Sequence, residues 1–322
     1  MKKIKVSKKF SLRAALAVAA VLALSAASAA QIKLRNAIDY DGDMKADIGV
    51  FRQSDNGWYI SKSNGTGAIS QAFGSLHTDT LAPGDYDGDG KGDIGVWRYN
   101  NATFYYLESS ASTVKARTWG VIGDEIVQRD YDGDNKTDFA VVRRTAGTNG
   151  TMTWYILNST DGTLRAQQFG LSTDLAVPGD YDGDGKFDIA VQRSASGVST
   201  FYIQGSLNGL VSVQWGLGTD RIATGDYDAD GKTDFAAIRN NGSTLDWYIR
   251  LSQTGSLLYA NFGAADTDSP VQNDYDGDNK ADIAVWRDTS STFYILRSTD
   301  NVLQQTQWGF STDSPIAAYD TH

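Results

Sequence analysis

An acidic signature recurs six times along the 322 residues, and its spacing limits the possible folds more than any other feature. It reads DYDGDMKADIGVFR from Asp39, DYDGDGKGDIGVWR from Asp85, DYDGDNKTDFAVVR from Asp130, DYDGDGKFDIAVQR from Asp180, DYDADGKTDFAAIR from Asp226 and DYDGDNKADIAVWR from Asp274. The starts lie 46, 45, 50, 46 and 48 residues apart. Units of that size cannot bury a core alone, so neighbours must stack.

The second unit shows what each repeat contributes. Residues 81–86 form a short extended segment, 87–93 an acidic loop, and 94–97, 103–107 and 113–119 apolar or aromatic runs separated by Asn, Ser and Gly. That order predicts a four-stranded antiparallel meander, and radial stacking of such sheets is a β-propeller. The third run opens with an aromatic pair in every unit, from Trp58-Tyr59 to Phe293-Tyr294, and the fourth ends in an aromatic-glycine pair, from Phe73-Gly74 to Trp308-Gly309. Rings present in every repeat are expected to pack blade on blade. After the sixth unit, residues 315–320 begin another first strand without its loop. Closure of the ring by that terminal strand is the expectation, although residues 34–39 compete for the same place, which leaves a seven-bladed ring as the alternative to six.

The ends and the charge bound the setting. Lys2, Lys3, Lys5, Lys8, Lys9 and Arg13 precede an apolar run over 14–24 and a small-residue site at 27–30, the pattern of a cleaved export signal over 1–30. Residues 31–322 are then one domain. Without the leader, 23 Lys and Arg face 39 Asp and Glu, a net charge of −16, which argues against a nucleic-acid partner. There is no cysteine to staple an exported protein, and no second apolar span.

Within each loop, aspartates occupy positions 1, 3, 5 and 9 and a lysine position 7: Asp39, Asp41, Asp43, Lys45 and Asp47; Asp85, Asp87, Asp89, Lys91 and Asp93; Asp130, Asp132, Asp134, Lys136 and Asp138; Asp180, Asp182, Asp184, Lys186 and Asp188; Asp226, Asp228, Asp230, Lys232 and Asp234; Asp274, Asp276, Asp278, Lys280 and Asp282. Alternate carboxylates of a tight turn can aim at one centre, and a backbone carbonyl at position 7 can complete the cage. Oxygen donors favour calcium, up to six ions, over zinc or copper. Acidic turns held by side-chain-to-backbone hydrogen bonds, with no ion, are the competing account. Position 6 needs a left-handed backbone, which Met44 suits poorly, so loop one should be the weakest.

The spacing D-x-D-x-D-G-x-x-D before an apolar strand, with the Phe169-Gly170 and Pro178-Gly179 turns upstream, resembles the FG-GAP/VCBS repeats of integrin-like propellers. The resemblance implies a calcium-stabilised propeller with these five residues of each loop as ligands, the lysine by its carbonyl. Ala229 in place of the usual glycine and Ala318 in the tail depart from the pattern.

No catalytic constellation is present: His77 and His322 are the only histidines, and the recurrent aspartates already have a metal or structural role. The chain therefore reads as a secreted, periplasmic or cell-surface monomer that binds a glycan or an extracellular surface protein. A polysaccharide-active hydrolase or lyase, and a structural envelope component, are the alternatives. What differs between units should specify the partner. The connection from the arginine after each loop (Arg52, Arg98, Arg143, Arg193, Arg239, Arg287) to the aromatic pair spans 6, 6, 11, 8, 8 and 6 residues, which singles out 144–153 in unit three, on the side opposite the acidic loops.

Overall fold

The computed structural model describes residues 37–75, 78–147 and 150–319. Residues 1–30, where an export signal is expected, and His77 and His322 lie outside them. Six four-stranded antiparallel sheets account for the described residues. Blade two is typical: Asp79–Leu81 innermost, then Ile94–Arg98, Thr103–Leu107 and Val114–Thr118 at the rim. Its neighbours repeat the order, so the expectation of a six-bladed β-propeller holds. Among the described residues no helix is long and apolar enough to cross a membrane.

Apolar residues on both faces of the second strand explain why the blades stack. Ile94, Val96 and Trp97 are buried on opposite sides of one strand, whereas the rim strand Val114–Thr118 is exposed throughout. Each cluster of buried side chains accordingly straddles a blade boundary. One joins Val142, Met152 and Trp154 of blade three to Ile189 and Val191 of blade four; another joins Phe104 of blade two to Val141 of blade three.

The recurrent aromatics do pack blades, but they alternate. In blades one, three and five a tryptophan opens the third strand, and the indoles of Trp58, Trp154 and Trp247 donate to the carbonyls of Phe73, Phe169 and Phe262 in their own blade at 2.8–3.1 Å. In blades two, four and six the stapling tryptophan stands at the end of the rim strand. There Trp119, Trp215 and Trp308 donate to Tyr155, Tyr248 and Tyr59 of the next blade at 2.9–3.1 Å. The ring is thus three stapled pairs, a pattern that only an even number of blades can close.

The two segments expected to compete at the seam share the inner place end to end. Ser314 and Pro315 pair with Phe51 and Val50, as Thr80 and Leu81 pair with Trp97 and Val96 in blade two. Closer to the loop the N-terminal segment takes over: Asp47 donates to Ile38 O at 2.9 Å, as Asp93 does to Gly84 O at 2.6 Å. Ile316 leaves the strand in a 3-10 turn over Ile316–Tyr319 and packs at Gly49, where a Cβ would meet its Cδ1 at 2.8 Å. Among the described residues the two segments thus complete blade one together, and the ring has six blades.

Candidate metal centres

All six acidic loops lie at one end of the ring, between the first and second strands of each blade. Position 1 shapes the turn. Its carboxylate (Asp39, Asp85, Asp130, Asp180, Asp226, Asp274) accepts the N–H of position 4 at 2.5–2.7 Å and that of position 6 at 2.8–3.0 Å. Satisfying both requires a left-handed backbone at position 6, as expected: φ is 68° at Met44, 70° at Asn135 and 74° at Asn279, with glycine in the other three loops. Ala229 shows that position 4 makes the same demand, with φ 64°.

Position 9 anchors the loop to its own blade. Asp47, Asp93, Asp138, Asp188, Asp234 and Asp282 accept the N–H of the position-2 tyrosine at 2.7–3.0 Å. Their other oxygen accepts the N–H of Ser63, Ser109, Ser159, Ser206, Ser252 or Ser298 at 2.6–2.8 Å. These serines sit in the hairpin between the third and fourth strands, and their hydroxyls donate to position 5 (Asp43, Asp89, Asp134, Asp184, Asp230, Asp278) at 2.6–3.0 Å. Position 3 also receives that hairpin: Asp87 Oδ2 accepts Ser110 N at 3.2 Å, and Asp276 Oδ2 accepts Thr299 N at 3.2 Å. Sequence reasoning missed the serine, although one follows the third strand in every unit.

The carboxylates converge. Asp39, Asp41 and Asp43 can place oxygens within 4.8 Å of one another, as can Asp85, Asp87 and Asp93; Asp130, Asp132 and Asp138; Asp180, Asp182 and Asp188; and Asp226, Asp228 and Asp230. The second to fourth trios use position 9 and the first and fifth position 5. Burial pushes Asp93, Asp138, Asp180, Asp226, Asp234 and Asp282 up to about 7, and Asp47, Asp85 and Asp188 to about 6; backbone N–H donors pull the other way, while neighbouring carboxylates add to the rise. Asp182 is buried with its Oδ1 unpartnered. Buried, mutually repelling oxygen donors with spare lone pairs fit a hard divalent cation.

The loops also touch one another. The N–H of position 8 donates to the carbonyl of position 1 in the preceding loop: Gly92 to Asp39, Thr137 to Asp85, Phe187 to Asp130, Thr233 to Asp180, Ala281 to Asp226 and, across the seam, Ala46 to Asp274, all at 2.6–2.8 Å. Wherever position 4 is glycine, the lysine before the donor lays its stem over it in the same preceding loop. A Cβ on Gly88 would come within 2.6 Å of Lys136 Cε, and one on Gly277 within 2.9 Å of Lys45 Cε. The lysine N–H donates to position 5 of its own loop at 2.8–3.0 Å.

The opposite end is built on paired charges. Arg52, Arg98, Arg143, Arg193, Arg239 and Arg287 make two-pronged bonds to Asp313, Asp79, Asp124, Asp174, Asp220 and Asp268 at 2.7–3.0 Å. Each guanidinium also lies over a tyrosine of the aromatic pairs, 4.2–4.7 Å from the ring centre. The residue after each aromatic-glycine donates its N–H to that aspartate, and there the blades differ: Ser75, Val121, Leu171, Leu217, Ala264 and Phe310. Ile122 and Phe310 are 60% exposed. The blade-three insert carries a structural duty that its sequence did not reveal. Arg144 pairs with Glu125 at 2.7 Å and donates to the Ser172 carbonyl of the blade-four junction at 2.9 Å.

A model of the FG-GAP-like repeat matches residues 39–96 and 130–191, each stretch running through two acidic loops, so the six-bladed ring carries FG-GAP-like repeats. No curated protein matches its sequence. Similar solved structures include an oligogalacturonate lyase in complex with manganese, 9% identical with a TM-score of 0.40 over 78% of this chain and 70% of that one. A putative 6-phosphogluconolactonase from Bacteroides uniformis is 11% identical, with a TM-score of 0.43 over 84% and 98%. Likeness at that level carries no argument about activity.

Proposed function

We propose that this propeller of FG-GAP-like repeats is an exported, calcium-stapled binding module that recognises a glycan or a surface protein through the end opposite its acidic loops. Calcium would be held by the carboxylates at positions 1, 3, 5 and 9 and the carbonyl of the lysine at position 7, and would supply the positive charge that the buried aspartates lack. The chain's own residues do the rest: the hairpin serines close over each loop, and the position-9 aspartates tie it to the blade.

The observation that supports the recognition end is where the repeats stop repeating. The acidic end uses its polar groups on itself in the same way in every blade. At the other end the turn residues vary from Ser75 to Phe310, with Val121, Leu171, Leu217 and Phe310 exposed, and the connections differ in length. Variation on a rigid frame is how a propeller presents specificity. The basic N-terminal run supports export, and a monomer is the working unit.

A glycan array and an immobilised panel of cell-surface proteins, probed with the mature chain in calcium, test this reading. Ile122→Glu and Phe310→Ser should weaken whichever binding is found by at least about tenfold, roughly 1.4 kcal/mol, while leaving the melting temperature nearly unchanged. Undiminished binding by both variants would place the site elsewhere.

A further inference from the structure

We infer that the six acidic loops take up cation as one coupled ring, not as six independent sites. The inference rests on the calcium reading above. Its basis is the shared use of a few residues by consecutive loops. Position 1 of a loop offers its carboxylate to its own site and its carbonyl to the next loop; Asp85 does both, through Gly88 and Gly90 on one side and Thr137 on the other. Position 7 offers its carbonyl to its own site and lays its stem on the loop before; Lys136 covers Gly88 in this way.

An ion that draws the carboxylates of loop two together therefore fixes Asp85 and Gly88, and through them holds Lys136 and Thr137, the residues that frame loop three. The same contacts run in the other direction, so the coupling is reciprocal. Because Ala46 donates to the Asp274 carbonyl at 2.8 Å, the belt closes across the seam and leaves no terminal loop. Contacts of this kind transmit occupancy only if the unloaded loops relax. The mutual repulsion of buried carboxylates, relieved by the ion, supplies that second state.

Calorimetric titration of the chelator-treated mature chain with calcium chloride tests this. Coupled loops give a sigmoidal uptake with a Hill coefficient above 1, and Asp89→Asn, which damages loop two at an exposed position, moves the half-saturation of the remaining loops to higher calcium by about fivefold. Amide exchange on the unmutated chain gives a second reading: Gly92, Thr137 and Thr233 should become protected together, at one calcium concentration. Uptake with a Hill coefficient of 1, an Asp89→Asn variant that only loses one site, or amides protected at separate concentrations would overturn the coupling while leaving the calcium reading intact. Absence of any heat or protection would overturn the calcium reading, and the coupling with it.

Discussion

Asp93 and Asp268 are both buried aspartates of the same ring, 0% and 3% exposed, and they lie at opposite ends of it. Burial pushes Asp93 up to about 7; the N–H groups of Ser109 and Tyr86 oppose the rise and the charge of Asp87 adds to it. Burial acts on Asp268 too, yet it is held below its ordinary value, because Arg287 and the donors at Ala264 and Thr267 outweigh the loss of water. The difference is the source of positive charge. One end neutralises itself with six arginines; the other, on the calcium reading proposed above, receives its neutralisation from outside.

Removing the outside charge should have the largest effect. With a dissociation constant near 10⁻⁴ M and calcium at about 1 mM, each site contributes roughly 1.4 kcal/mol, and six add up to about 8 kcal/mol, comparable with the stability of a whole domain. Urea titrations with calcium and after its removal measure that gap directly. A gap below about 1 kcal/mol would mean that the acidic end is self-sufficient after all.

Single substitutions sharpen the comparison. Asp188→Ala strands the N–H groups of Tyr181 and Ser206 and removes a ligand, so it should cost about 3–5 kcal/mol in calcium and clearly less without it. Asp268→Ala breaks the two-pronged pair with Arg287 and should cost about 3 kcal/mol in either condition. Equal calcium dependence of the two variants would erase the distinction between the ends. The smallest expected effect is a gain: Met44 is left-handed and 54% exposed, so Met44→Gly should stabilise loop one by about 1 kcal/mol without loss of packing.

The architecture was legible in the sequence because a repeat states its pattern six times; strand order and the left-handed position 6 follow from comparing copies, while blade number was read as six with seven left open at the seam. Contacts between copies were not legible. Lys136 rests on Gly88, and Trp119 donates to Tyr155, across distances that no pattern within one unit encodes. The seam was only half legible, since 34–39 and 315–320 each read as a first strand and nothing in either shows that Ile38 and Ser314 with Pro315 divide one place between them. The hairpin serine was legible and overlooked: it recurs in every blade, but a small polar residue in a turn carries no chemistry until the carboxylate above it is known.

The central claim, that the acidic end is completed by cation, is tested most directly by melting temperature against pH between about 5 and 8, with calcium and after its removal. The folded values of the position-9 aspartates lie above the unfolded value of 3.8, at about 6 or 7 for Asp47, Asp93, Asp138, Asp188, Asp234 and Asp282. Without the ion the fold therefore holds protons more tightly than the unfolded chain, and the stability this contributes, complete below the unfolded value, is lost as pH rises through the folded ones. With the ion, the deprotonated carboxylates bind calcium, and stability should rise over the same window. The account predicts curves of opposite slope that diverge toward pH 8; parallel curves would contradict it.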